Sequence, residues 1–448
     1  MAVEALEDSV NRGWLYHPSF PEDWTPRALH SMARWVNGIA FKDIQFTPTG
    51  RPVIKIAEIK GGLSGQTKFT QQTFDESVRV RPGDLLFSWS GQPETSIDAF
   101  WWRGPEGWLN QHVFRVTPED GIDTVFFYYL LRYLKPNFVG IARNKQTTGL
   151  GHVTKRDLEN LEVAYPELHE QRAIAHILGT LDDKIELNRQ MSATLEAMAR
   201  ALFKAWLIDF EPVRAKAEDR ATGLPPHLAA LFPDRLVETE HGEVPEGWQS
   251  VRLPEVFEVN PTRALKKDLP APYLDMANMP TKSHAPDEVA QRPFGSGMKF
   301  SNGDTLVARI TPCLENGKTA FVDFLQDGQV GWGSTEYIVL RPKAPWPEEA
   351  GYLLARDQRF RDFAIQGMTG TSGRQRVPAS ALNHFQFVSP TPQVLLALGS
   401  AVKPWFARSS AAVREARTLA ALRDTLLPKL VSGDLRVKDA ETFLERVL

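Results

Sequence analysis

Two long stretches of the chain carry apolar residues at every seventh position, with polar and charged residues between them. The first runs from Pro166 to Phe210 and the second from Gln393 to Leu430. A seven-residue repeat keeps one face of a helix against a partner helix, so the pattern predicts two long helices that pack along each other. The residues predicted to form this seam are Ile174, Leu181, Asn188, Leu195, Leu202, Leu398, Trp405, Leu419 and Leu426.

Two residues interrupt the seam. Asn188 is the polar member of the first row, and it either fixes the register of the helices or turns to the wet edge of the seam. Pro404 lies inside the second row. Because proline removes a helical hydrogen bond and kinks the helix, we expect the two helices to be unequal.

The two halves of the chain resemble each other at a spacing of 224 positions, as from Trp24 to Trp248. The segment 21–24 (PEDW) matches 245–248 (PEGW), and Val153 matches Val377 at the same spacing. A repeat of this length indicates that one structural unit occurs twice.

Short apolar runs between Gly and Pro residues occupy the remainder of each half. They predict strands at 52–59, 77–89, 112–116, 298–310 and 334–342, and helices at 125–134 and 351–360. The fold class is therefore α+β, with two mixed α/β globular domains that are each followed by a long helix.

Composition excludes several classes of protein. The single cysteine, Cys313, allows no disulfide within the chain and is typical of a reducing compartment. No run of 18 apolar residues occurs, and the start of the chain has no hydrophobic signal segment, so we expect a cytoplasmic protein without a membrane span. The net charge of -3 gives no general sign of nucleic-acid binding.

No catalytic or metal-binding constellation is visible. His169 and Glu170 lack the second histidine of a zinc-protease motif, since Ala173 occupies its position. Asn260-Pro261-Thr262 lacks the second proline and the aromatic residue of an adenine methyltransferase motif. The sequence therefore predicts a protein without catalytic residues and without a metal site.

Basic loops at equivalent places in the two halves carry the signal for DNA. Six Lys or Arg residues and no acid lie between Arg132 and Arg156, and no acid lies between Phe363 and Val388. Arg, Lys, Asn and Gln have the donors that bases and phosphates accept, although a solvated loop remains the alternative. The predicted DNA-binding residues are Arg143, Asn144, Lys145, Gln146, Thr147, Thr148, Thr371, Ser372, Arg374, Gln375 and Arg376, with Asn110 and Gln111 as secondary candidates.

With the repeat and the helices in place, nearly the whole chain resembles the specificity subunit of type I restriction-modification systems. The resemblance rests on Pro166, Glu170-Gln171 and Leu181-Asp182 at the start of the first long helix. It also rests on 423–430 (RDTLLPKL) and on 244–248 (VPEGW). One departure is that Pro390-Thr391-Pro392-Gln393 lacks the Glu-Gln pair at the start of the second helix.

The resemblance implies that each globular half is a target-recognition domain that reads one half of a bipartite DNA sequence. The helices would pack antiparallel as a spacer with pseudo-two-fold symmetry, and would bind two DNA adenine methyltransferase subunits, which restriction/translocase subunits join. The subunit itself would need no cofactor, because S-adenosylmethionine, ATP and Mg²⁺ would be bound by its partners. The expected domains are a lead-in at 1–25, recognition domains at 26–165 and 245–390, spacer helices at 166–212 and 391–436, a linker at 213–244 and a tail at 437–448.

Two other functions remain open at this point. One is the recognition subunit of a type IIB-like restriction system, which shares the architecture and has a fused nuclease-methyltransferase as its partner. The other is a coiled-coil scaffold whose two globular domains bind proteins and not DNA.

Overall fold

The computed structural model describes residues 20–42, 44–145, 149–240, 242–371 and 373–440. The chain divides into two compact units. Unit 1 comprises Met1–Lys184 and Thr418–Leu448, and unit 2 comprises Ile185–Arg417. Both unit boundaries fall inside the long helices, so each helix contributes residues to both units.

Unit 1 is built from short strands and helices, followed by the first long helix. Its strands are β1 (Thr25–Ala28), β2 (Ala33–Asn37), β3 (Arg51–Ile54), β4 (Phe69–Thr70), β5 (Arg79–Val80), β6 (Leu85–Ser88), β7 (Ser90–Gly91), β8 (Asp98–Trp101), β9 (Gly107–Leu109), β10 (Val113–Pro118), β11 (Gly151–His152) and β12 (Glu162–Tyr165). Its helices are α1 (Ile56–Gly61), α2 (Pro93–Ser96), α3 (Thr124–Tyr133), α4 (Lys135–Asn144), α5 (Lys155–Asn160) and the start of α6 (Leu168–Leu207), with 3-10 turns at Leu29–Met32 and Glu76–Val78.

Unit 2 has a similar composition. Its strands are β13 (Leu236–Thr239), β14 (Gly242–Pro245), β15 (Gln249–Arg252), β16 (Phe257–Val259), β17 (Pro270–Leu274), β18 (Ala290–Pro293), β19 (Met298–Phe300), β20 (Thr305–Ala308), β21 (Thr319–Phe321), β22 (Gly331–Gly333), β23 (Tyr337–Pro342) and β24 (Gln386–Ser389). Its helices are α7 (Glu211–Ala217), α8 (Pro226–Ala229), α9 (Leu253–Val256), α10 (Ala350–Arg356), α11 (Gln358–Gln366), α12 (Ala379–Leu382) and most of α13 (Pro392–Ser432).

Three sheets of each unit share one topology, beside the two-stranded sheets β11-β7 in unit 1 and β13-β14 in unit 2. In unit 1 the strand orders are β2-β10-β6-β8, β4-β3-β9-β5 and β1-β12, and in unit 2 they are β16-β23-β20-β21, β18-β17-β22-β19 and β15-β24. Even the parallel pair recurs, because β3 pairs with β9 and β17 with β22 in parallel within otherwise antiparallel sheets. The internal repeat is thus a repeat of the fold, as the sequence predicts.

Matching turns fix the start of the central strands β6 and β20. Gly83 and Gly303 adopt φ of 92° and 85°, a region in which glycine avoids the strain of a side chain. The next residue is Asp84 in unit 1 and Asp304 in unit 2. Its side-chain carboxylate accepts a hydrogen bond from the backbone amide three positions before it, at 2.7 Å and 2.8 Å. The same short-range chemistry therefore starts the same strand twice.

Apolar side chains form the cores, and the central strands β6 and β20 are buried along their whole length. In unit 1, Trp108 is fully buried between β3 and β5 and packs with Ile54 and Val80. In unit 2, the later part of α6 joins the core, because Phe203 and Trp206 lie in one cluster with residues of α10 and α13. The helices are therefore part of each unit's core and not separate from it.

The two long helices are nearly equal in length, at 40 and 41 residues. The expectation of unequal helices is wrong, since α13 continues through Pro404 without a break. In unit 1, Arg423 Nη1 donates to Asp182 Oδ1 at 2.5 Å, and in unit 2 the hydroxyls of Ser192 and Ser409 are 2.7 Å apart. Later residues of α6 meet earlier residues of α13, so the pair is antiparallel.

Burial along α6 follows the predicted seam in its first half and then departs from it. Ile174 and Leu181 are buried, and so is Asn188, which is 4% exposed and therefore does not lie at a wet edge. Beyond Asn188, Leu195 and Leu202 are only half-buried. The buried positions there are Ser192, Glu196, Ala199, Phe203, Trp206 and Leu207, so the seven-residue spacing continues through 192, 199 and 206 but is shifted by four residues from Asn188. In α13, Leu398, Leu419 and Leu426 are buried and Trp405 is half-buried.

Three local predictions differ from the structure. The strand expected at 52–59 ends at Ile54, and α1 follows it. The helix expected at 351–360 is divided into α10 and α11, because Asp357 leaves the helical conformation and accepts a hydrogen bond from the Arg359 amide as the cap of α11. The segment expected to be a linker contributes Val213 and Phe232 to the core of unit 2, so it is a packed part of that unit.

Candidate nucleic-acid interface

The basic loop of unit 2 is a tight turn closed by backbone hydrogen bonds. Thr369 and Arg376 form an antiparallel bridge in which each amide donates to the other's carbonyl at 2.9 Å. Gly370 and Gly373 adopt φ of 119° and 80°, so glycine is needed at both positions. Thr371 and Arg374 are exposed and Gln375 is half-buried. Ser372 lies outside the described residues.

The basic loop of unit 1 begins later than expected. Arg143 and Asn144 form the last turn of α4 and not the loop. Arg143 Nε donates to Glu94 at 2.5 Å, and Lys145 forms an ion pair with Asp157. Gly149 has φ of 87°, matching Gly373 at the equivalent position of the repeat. The predicted residues Gln146, Thr147 and Thr148 lie outside the described part of the chain.

The secondary candidates, Asn110 and Gln111, lie between strands β9 and β10 of unit 1. Asn110 follows β9, and its amide donates to the Ile54 carbonyl at 3.0 Å. The Gln111 side chain is half-buried, and its Nε2 lies 3.2 Å from His112 Nε2. Both residues immediately precede His112, the residue before β10.

In unit 2, backbone hydrogen bonds bring together three residues that are remote in sequence. Arg309 follows β20 and its amide donates to the carbonyl of Glu336, which precedes β23, at 3.0 Å. The carbonyl of Arg309 accepts from the Val377 amide at 2.9 Å, next to Arg376 at the end of the loop. We call Arg309, Glu336 and Arg376 the unit 2 junction.

Ionic contacts join the side chains of the unit 2 junction. Arg376 Nε donates to Glu336 Oε1 at 2.9 Å, and Arg309 Nε lies 3.5 Å from Glu336 Oε2. The side chains of Arg309, Glu336 and Arg376 are 29%, 23% and 41% exposed, so the cluster is open to solvent on one side. Two guanidinium groups thus share one carboxylate beside the basic loop.

The same backbone arrangement occurs in unit 1 with different side chains. The Trp89 amide donates to the His112 carbonyl at 3.3 Å, and the Val153 amide donates to the Trp89 carbonyl at 2.9 Å. We call Trp89, His112 and His152 the unit 1 junction. The Trp89 ring lies 5.7 Å and 5.9 Å from the rings of His112 and His152, and its indole nitrogen donates to Asn37 at 3.0 Å.

The unit 1 junction contains neither a guanidinium nor a carboxylate group. Burial lowers the pKa of His112, and the charge of the neighbouring His152 lowers it further. His152 Nδ1 is hydrogen-bonded to the Ser90 hydroxyl at 2.9 Å. Trp89 is half-buried at this surface. Apart from Arg376, sequence reasoning missed the junction residues, because equivalent positions share no residue type between the halves.

Other kinds of site find no support in the described residues. They contain no group of three or more His, Cys, Asp or Glu side chains that could hold a metal ion. Within the same residues, none of the helices combines the length and the apolar character that a membrane crossing requires.

Known proteins resemble this chain over most of its length. Residues 21–197 match the family model of the type I restriction modification DNA specificity domain. The MjaIX specificity subunit of Methanocaldococcus jannaschii is 24% identical, in an alignment that covers 91% of this chain and 98% of that protein. The HindI specificity subunit of Haemophilus influenzae is also 24% identical, over 92% of this chain and 100% of that protein.

A solved structure shows a similar fold. It is the type I restriction-modification S subunit from M. genitalium, with a TM-score of 0.53 and 16% sequence identity. The alignment covers 93% of this chain and 98% of that one.

Proposed function

We propose that this chain is a specificity subunit of a type I restriction-modification system, as the proteins it resembles are, and that it recognises a bipartite DNA sequence with each unit reading one half. The observation that carries this proposal is the recurrence of one fold in both units, with a left-handed glycine at Gly149 and Gly373 beside the predicted DNA-binding residues. A frame that is constant while its side chains vary is suited to reading two different half-sites. It has no such use in a scaffold whose two domains bind proteins.

The charge around the loops supports a DNA ligand. No acidic residue occurs between Phe363 and Val388, although the whole chain has a net charge of -3. A local basic surface attracts phosphates by electrostatics that salt weakens. Base contacts from Arg, Gln and Thr side chains of the loop then supply sequence preference.

We further propose that the chain acts without catalysis of its own and within a larger complex. The long helices would set the distance between the half-sites and bind two DNA adenine methyltransferase subunits, to which restriction/translocase subunits add. S-adenosylmethionine, ATP and Mg²⁺ would be held by those partners.

Selection from randomised duplexes tests the reading of DNA by separate units. The complex purified from its host is expected to enrich a motif with two specified parts and a fixed gap. In the Arg374→Ala, Arg376→Ala variant, base preference should weaken in one part only, because both arginines belong to the loop of unit 2. Loss of both parts in a folded complex would contradict independent reading by the two units.

A matched control removes an arginine from another Arg–Glu pair of unit 2. Arg235 pairs with Glu246 outside the loop, and its side chain is 67% exposed. Arg235→Ala should leave the enriched motif unchanged. A motif altered equally by this control would show that the loop arginines act only through general charge.

A further inference from the structure

The two junctions share their backbone and differ at every side chain. Arg309 replaces Trp89, Glu336 replaces His112 and Arg376 replaces His152 at equivalent places of the two units. The residue after His152 in unit 1 and after Arg376 in unit 2 is a valine. Val153 and Val377 are both buried, at 1% exposure or less. The buried valine is therefore the same in the two units, whereas the three residues of each junction differ.

In unit 2, Glu336 orients both arginines by their inner nitrogens. It accepts from Arg376 Nε and lies beside Arg309 Nε, as the distances of 2.9 Å and 3.5 Å show. A carboxylate held at Nε leaves the two terminal nitrogens of each guanidinium directed away from it. The terminal nitrogens of Arg376 make one long contact, in which Nη1 donates to the Arg374 carbonyl at 3.4 Å. In the described part of the chain, Arg309 Nε is buried and has no hydrogen-bond partner.

This arrangement favours a base over a phosphate as the ligand. A phosphate contact needs a positive charge but not a fixed orientation, and lysine can supply it. Here, the Glu336 carboxylate holds Arg376 by a hydrogen bond at Nε and faces Arg309 as an ion pair, and neither Arg309 Nε nor Glu336 Oε2 has a hydrogen-bond partner among the described residues. A fixed, planar pair of donors matches the O6 and N7 acceptors of guanine in the major groove.

The side chains of the unit 1 junction point to a different half-site. Trp89 already donates its indole N–H to Asn37, and His152 is bonded to Ser90. Without a guanidinium fork, the unit 1 junction lacks the donor pair that selects guanine in unit 2. Two different trios on one frame thus correspond to two different base preferences.

We propose that the unit 2 junction is a base-reading site for the guanine of a G·C pair, in which Arg309 and Arg376 contact the base and Glu336 is a positioning residue. The junction positions then set sequence preference in each unit. This inference rests on the proposed function, because it assumes that the loop region meets the major groove of DNA.

Lysine substitutions separate base reading from charge. Arg309→Lys and Arg376→Lys keep the positive charge but remove the planar fork. The probe is a library of randomised duplexes, selected with the wild-type complex and with each variant. The expected result is that one guanine position, in one part of the motif, loses its preference by about tenfold or more, since a bidentate pair is worth about 1–3 kcal/mol. The other part of the motif stays as in the wild type.

The role of Glu336 has its own readout. Glu336→Gln keeps the size of the side chain but weakens its hold on both guanidinium groups. A positioning role predicts a weaker preference at the same guanine, with DNA affinity at low salt unchanged or raised because a negative charge is lost. Arg235→Lys, in the Arg–Glu pair outside the junction, is the matched control and should leave every position unchanged.

The outcomes separate the inference from the function on which it rests. If the lysine variants keep the guanine preference, the arginines contact phosphates at most and the inference is overturned, while the proposed function stands. A wild-type complex that enriches no motif overturns the proposed function as well. Thermal unfolding shows whether each variant is folded, and if Arg309→Lys unfolds, the more exposed Arg376→Lys alone decides the result.

Discussion

At the scale of single residues, a buried ionic network holds the globular part of unit 2 to the long helices. His284 is fully buried, and its Nδ1 lies 2.8 Å from Glu196 Oε1 on α6. Its Nε2 lies 3.0 Å from the Ser410 hydroxyl on α13 and 3.5 Å from Asp323. Tyr352 of α10 donates to the second oxygen of Glu196 at 2.8 Å. One imidazole thus connects the recognition domain to both helices.

The network predicts that stability depends on pH. Burial alone would lower the pKa of His284, but hydrogen bonds and charges from Asp323 and Glu196 outweigh burial and raise the pKa to about 9. The stabilisation by the charged imidazole is therefore complete below the unfolded-state pKa of about 6.5, declines above it and is lost as pH rises through about 9. We expect the melting temperature of unit 2 to fall by a few degrees between pH 7 and pH 10.

Differential scanning calorimetry across this pH range measures the effect. His284→Gln removes the titrating group and keeps hydrogen-bonding capacity, so the decline assigned to His284 should be absent in that variant. A wild type and a variant whose melting temperatures fall in parallel would show that His284 is not charged in the folded protein.

At the scale of the elements, Asn188 is a polar residue buried in the long helix α6. Its Nδ2 atom has no hydrogen-bond partner among the described residues. Because both helices belong to one chain and pack into the cores of folded domains, their register has determinants besides Asn188. We therefore expect Asn188→Leu to raise the free energy of unfolding by about 1 kcal/mol, through removal of an unsatisfied amide and gain of apolar burial.

Urea unfolding of the wild-type protein and of the Asn188→Leu variant checks this prediction. The neighbouring Leu187 is 63% exposed, and Leu187→Ala should change the free energy of unfolding by less than about 0.5 kcal/mol. A lower stability of Asn188→Leu would mean that the amide makes a contact that determines how the helices pack.

The elements also show what the sequence could and could not predict. The seven-residue pattern predicted two long helices, and matched residues such as Trp24 and Trp248 predicted the repeat, because both depend on local patterns or on residue identity. The shift of burial to Ser192 and Glu196 was not predictable in this way, since it depends on the domain that packs against α6. The junctions escaped because their members lie far apart in sequence, and topology alone brings them together.

At the scale of the whole molecule, the chain uses one architecture twice. Sheet order, turn glycines and backbone contacts at the junctions agree between the units, whereas the side chains at the junctions do not. On the proposed function, such a molecule could change one half-site without changing the other, because the candidate reading residues lie within separate units. On the same proposal, the long helices, which contribute residues to both units, would set the distance between the half-sites and bind the methyltransferase subunits.

Genome-wide mapping of adenine methylation in the host, with and without this gene, tests the central claim most directly. Specific DNA recognition predicts that one motif, with two specified parts separated by a fixed gap, loses its methylation when the gene is deleted and regains it on complementation. If every methylated motif persists after deletion in cells that express the partner methyltransferase, the chain does not direct methylation and the account is wrong.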